Sequence, residues 1–137
     1  MIKELWINLP VKNVAASKAF FTALGFSFHP GDTETSACLI VDEKKTAIML
    51  FEESQLKTYL MNDITDTKTS NEVMISFSAE SREQVDEMAK KAATSGANVF
   101  SKPEEIQGWM YGFAFADLDG HRWNMLYMDN SKMPKQH

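Results

Sequence analysis

The 137-residue sequence predicts an α+β fold of two paired βαβββ modules, about residues 1–60 and 70–130, whose curved sheet forms a half-barrel cup. Three observations predict it. Each half opens on a strand with period-2 alternation. Each continues into an amphipathic helix closed by a glycine. Each then supplies three short strand candidates separated by turn residues.

The first strand is "LWINLPV", with Leu5, Ile7, Leu9 and Val11 on one face and Trp6, Asn8 and Pro10 on the other. Ala16, Phe20, Ala23 and Leu24 recur at helical spacing behind it, with Asn13 as the cap and Gly25 as the stop. "FSFHP", "SACLIVD" and "TAIMLF" complete the first module. In the connector "EESQLKTYLMNDITDTKTSN", Leu56, Tyr59 and Leu60 predict a short helix and the rest is polar.

"EVMISFS" opens the second module, with Val73, Ile75 and Phe77 on one face and Glu72, Met74, Ser76 and Ser78 on the other. The helix that follows starts with a capping box, Ser81 and Gln84, and places Val85, Met88, Ala89 and Ala92 on one stripe. Gly96 ends it. "ANVFS", "MYGFAFAD" and "RWNMLYM" supply three more strands, and residues 131–137 form a tail on a single domain of residues 1–130.

On the last strand, Trp123, Met125 and Tyr127 are assigned to the helix side. Arg122, Asn124 and Leu126 then face the cup.

Composition narrows the function. A net charge of −5 argues against a nucleic-acid or anionic-membrane surface. Cys38 is the single cysteine, so an internal disulfide is excluded and a cytoplasmic location is expected. The N-terminal segment lacks the pattern of a signal peptide, and apolar runs are too short to span a bilayer. His29, His121 and His137 are scattered in turns or at the terminus, without metal-ligand spacing.

Three stretches, "NLPVKNVAASKAFFTALGF", "SREQVDEMAKKAATSGANVF" and "FADLDGHRWNMLYMD", resemble the vicinal oxygen chelate superfamily, which includes glyoxalase I, extradiol dioxygenases and bleomycin-resistance proteins. The likeness is nearest to the subgroup of predicted lactoylglutathione lyases. It implies two βαβββ modules about a pseudo-twofold, with divalent-metal ligands on the first and last strand of each. The corresponding positions here are Trp6, Met49, Glu72 and Asn124. Glu72 alone is an ordinary ligand for such an ion, so no metal and no cofactor are expected.

Glu72 is the candidate catalytic residue, as a general base beside a carbonyl. Trp6, Asn8, Met49, Met74, Trp109, Tyr111 and Asn124 are the candidate ligand-binding residues: amides for hydrogen bonds, Met and aromatic side chains for a flat or apolar partner. Core packing is the competing reading for the Met and aromatic residues, and a solvated strand start for Glu72. Two function classes stay open: a lyase, isomerase or transferase, and a protein that sequesters a ligand without chemistry. The expected partner is an unidentified small molecule, and the resemblance implies a homodimer.

Overall fold

In the computed structural model, which describes residues 1–44 and 46–134, the chain forms two compact units, 1–66 and 67–137. The predicted tail residues 135–137, His137 among them, lie outside the described residues.

Unit 1 contains β1 (Trp6–Val11), α1 (Val14–Ala23), β2 (Ser27–Phe28), β3 (Ser36–Ile40), β4 (Ala47–Glu52) and α2 (Glu53–Leu60). Unit 2 contains β5 (Met74–Ala79), α3 (Arg82–Thr94), β6 (Asn98–Ile106), β7 (Met110–Ala116) and β8 (Arg122–Met128). Each unit holds one mixed four-stranded sheet, ordered β1-β4-β3-β2 and β5-β8-β7-β6. The first strand pairs in parallel with the last, and the other contacts are antiparallel. This is the predicted βαβββ grammar, written twice.

The local signals act as their chemistry requires. Asn13 Oδ1 accepts from Ala16 N at 2.9 Å and Ser81 Oγ from Gln84 N at 3.1 Å, so each long helix has its first turn capped. The Gln84 side chain reaches back to Glu80 N at 2.6 Å. Gly25 and Gly96 adopt φ of +100° and +103°, the left-handed conformation that ends both helices.

Each helix buries one face of its sheet. Leu9, Val11, Leu39, Ile48 and Leu50 are buried with Phe20 and Phe21 of α1. In unit 2, Phe113, Phe115, Trp123 and Met125 are buried with Val85, Met88 and Ala92 of α3. The Phe115 and Trp123 rings stack at 6.4 Å. Each such large apolar side chain contributes about 1.5–3 kcal/mol on leaving water.

Two expectations change. "ANVFS" is only the start of β6, which runs nine residues through Pro103 to Ile106. Pro103 is tolerated because β6 is an edge strand with register shifts, where a missing N–H breaks no ladder. The start of the predicted tail is ordered: Asn130–Lys132 form a 3-10 turn in which Asp129 Oδ1 accepts from Ser131 N at 3.1 Å.

Part of the polar connector belongs to unit 2. Thr67 Oγ1 donates to Asp119 O at 2.5 Å and Asn71 Nδ2 to Gly120 O at 3.1 Å, latching residues 67–71 onto the β7–β8 turn. Gly120 has φ of +82°, and a side chain there would run into Thr67. Asp117 anchors that turn from below. Its carboxylate accepts from Asp119 N (2.9 Å), His121 N (3.0 Å) and Trp123 Nε1 (2.9 Å).

Candidate functional site

Strand alternation leaves each sheet a face turned away from its long helix. In unit 1, Trp6, Asn8 and Pro10 of β1 project there. The register puts Asn8 beside Met49, and Met49 beside Cys38, in one row across three strands. Trp6, Ala47 and Ile40 form the next row. Trp6 is 56% exposed and the Asn8 amide is also exposed, with no hydrogen-bond partner among the described residues. Burial, and then the charge of Asp32, push the Cys38 thiol upward, so it stays protonated and unreactive.

In unit 2 the corresponding rows are Met74–Arg122–Ala116 and Ser76–Asn124–Ala114. Ser76 Oγ donates to Asn124 Oδ1 at 2.5 Å. That bond occupies the Asn124 oxygen and leaves its Nδ2 hydrogens as the donors offered outward.

The register also shifts the equivalence between the halves. Trp6 pairs with Ala47 and Met74 with Arg122, and each of these strand starts lies eight residues before its helix. Trp6 therefore corresponds to Met74, Asn8 to Ser76, and Met49 to Asn124. Glu72 has no place in this frame. It stands exposed in a bend two residues before β5 and pairs with nothing on β8.

The remaining candidates divide. Tyr111 is on the helix face of β7, where its hydroxyl donates to Asp86 Oδ1 of α3 at 2.6 Å and Arg82 lies 4.8 Å over its ring. That hydrogen bond, followed by desolvation, holds the phenol above its ordinary pKa. Trp109 sits in the turn before β7, its indole Nε1 buried without a hydrogen-bond partner among the described residues. Neither joins the rows of Asn8 or Asn124.

A divalent ion does not suit these positions. The side chains set beside each other are an amide and a thioether in unit 1, a hydroxyl and an amide in unit 2. Zn, Mn and Ni sites need several imidazole or carboxylate ligands. Among the described residues no group of three or more His, Cys, Asp or Glu converges.

An open cavity of about 640 Å³ lies elsewhere in unit 1, lined by Lys12, Asn13, Lys18, Asp32 and Glu52 among others. Lys18 and Asp32 pair across it at 2.5 Å, and none of the sequence-predicted site residues lines it.

Sequence reasoning did not single out Ser76, Asn71 or Phe100. Ser76 was legible from its alternation with Met74. Asn71 and Phe100 were not, because only the fold brings them to Arg122, where Nε donates to Asn71 Oδ1 at 3.2 Å and Phe100 lies beneath the guanidinium at 4.4 Å.

The sequence pattern of the Glyoxalase/Bleomycin resistance protein/Dioxygenase superfamily matches residues 5–125. The chain belongs to that superfamily. A solved structure of hypothetical protein SA1046 from S. aureus is 31% identical, with a TM-score of 0.84 over 93% of this chain and 95% of that one. A glyoxalase/bleomycin resistance protein/dioxygenase family enzyme from Burkholderia phytofirmans shares the fold at 16% identity, with a TM-score of 0.75 over 90% of this chain and 96% of that one. The fosfomycin resistance protein FosX from Listeria monocytogenes, solved with Mn(II) and sulfate, shares it at 18% identity, with a TM-score of 0.71 over 96% of this chain and 94% of that one. No curated protein matches. The predicted vicinal oxygen chelate fold is thus the observed one.

Proposed function

We propose that this superfamily member captures a small polar molecule on a sheet face turned away from its long helix, either the face that carries Asn8 or the face that carries Asn124, without a metal ion and without chemistry. One observation carries the reading. The positions set side by side on the first and last strands are Asn8 with Met49 and Ser76 with Asn124. These are neutral hydrogen-bonding and soft apolar side chains. They recognise shape, ring faces and amide-like groups, and they give a divalent cation no carboxylate or imidazole to hold.

Trp6 and Met74, at equivalent strand starts, are 56% and 50% exposed. They add apolar surface of the kind that adaptable ligand sites use. A lactoylglutathione-lyase-like reaction would use Glu72 as its base. The exposed bend that holds Glu72, outside the β5–β8 pairing, supports capture over catalysis.

We take the protein to work in the cytoplasm as a homodimer. The single free Cys38 suits a reducing compartment. The edge strands β1 and β5 are preceded by exposed Leu5 and Val73, which a second copy would cover.

Native mass spectrometry of tag-free protein tests the capture. A noncovalent small-molecule adduct should accompany the wild type and be lost from Asn8→Ala or from Asn124→Ala, whichever face holds it. An adduct at full occupancy in both variants would contradict the reading.

A further inference from the structure

Arg122 begins β8 two residues before Asn124, and the β-pleat places both on the face of the sheet away from α3. Its neighbour on β7 is Ala116. Because that residue is small, the Arg122 side chain can cross β7 and reach β6, roughly 9–10 Å away at the usual strand spacing. There its guanidinium lies 4.4 Å from the centre of the Phe100 ring. Asn71 Oδ1 accepts from Nε at 3.2 Å, and Asn71 Nδ2 in turn donates to Gly120 O at 3.1 Å. The ring supports one face of the guanidinium and the amide fixes one edge.

Both partners are neutral. Among the described residues no carboxylate pairs with Arg122, and its two Nη groups have no acceptor. A half-buried guanidinium held in place, with a two-pronged edge unused, is complementary to two coplanar oxygens of an anion.

We propose that Arg122, backed by Phe100 and oriented by Asn71, is a subsite for the oxyanion of a small molecule, a carboxylate or a phosphonate. It rests on the reading of this face as a ligand surface, and it adds a charged end to a ligand otherwise held by amides and apolar contacts. In a chain of net charge −5, such a fixed cation selects its partner by direct pairing, since the overall field repels anions.

The Arg122 Nε–H resonance reports on this directly. In ¹⁵N-edited NMR spectra, titration with methylphosphonate or acetate should shift it saturably, and the tighter of the two identifies the oxyanion class. Acetamide should leave it in place. R122K keeps the charge but loses the fork and the ring contact, so affinity read from the neighbouring Asn71 side-chain amide should fall at least tenfold. F100L keeps the whole guanidinium and should weaken binding about threefold. The subsite is read from these small anions and the proposed capture from the native adduct, so the two readings fail separately. Shifts that grow linearly without saturation, or an affinity unchanged in R122K, would overturn the subsite.

Discussion

The two units share a topology and a register and differ in what they place on it. Row for row, Met49 of unit 1 becomes Asn124, Ala47 becomes Arg122, and Ile40 becomes Ala116. The bulk in one row has moved from the third strand of the module to the fourth. Unit 1 presents a soft apolar face with one amide, and unit 2 a polar face with a fixed cation. A repeated fold thus gives two recognition chemistries, since alternation sets which positions face outward and leaves their identity open.

The turns that enter the last strands differ too. Asp42 in unit 1 accepts from Thr46 N and Oγ1, both at 2.8 Å, in an exposed turn. Asp117 in unit 2 is 8% exposed and holds three N–H donors, the buried Trp123 indole among them.

The largest expected contrast lies between two tryptophans. Trp123 is fully buried between Phe77 and Phe115, so Trp123→Ala should cost about 3–5 kcal/mol of stability in urea titration. Trp6→Ala, at a 56% exposed position, should cost less than about 1 kcal/mol and weaken ligand capture instead. Equal stability losses would erase the distinction between core and face.

The aspartates come next. Asp117→Asn turns an amide donor toward groups that are themselves donors, and should cost about 1–3 kcal/mol, against less than about 1 kcal/mol for Asp42→Asn. Burial raises the Asp117 pKa above its ordinary 3.8, opposed by His121 and by the carboxylate's own hydrogen bonds. A raised folded-state pKa means the native chain binds this proton more tightly than the unfolded chain. The Asp117 contribution is therefore fully present below pH 3.8 and declines as pH rises through the raised value. The stability gap between wild type and Asp117→Asn should narrow across that interval. A gap that widens would reverse the sign of the shift.

The smallest effect is expected at Glu72. Glu72→Gln should change stability by less than about 0.5 kcal/mol and ligand affinity by less than twofold, as suits a side chain in an exposed bend. A tenfold loss of affinity or of any turnover would restore the base.

Much of this architecture is legible in the chain, because caps, helix-ending glycines and strand alternation are local signals. Asn13, Ser81, Gly25 and Gly96 each act where the sequence places them. Alternation, however, has a period and no origin. Glu72 and Val73 continue the pattern of β5 before pairing begins at Met74, so only the partner strand, starting at Arg122, shows that Glu72 lies outside. Tyr111 is a similar case. Its neighbouring glycines suggest a clamp, but Asp86, 25 residues earlier on α3, fixes it to the helix side. The Arg122 cluster joins residues 71, 100 and 122, contacts that no local pattern reports.

Metal dependence tests the central claim most directly. Elemental analysis of tag-free protein should find well below one divalent ion per chain, with ligand capture unchanged after exhaustive treatment with EDTA, because Asn8, Met49, Ser76 and Asn124 offer no carboxylate or imidazole. One tightly held ion per chain, with capture lost to EDTA and regained on adding the metal back, would contradict the account.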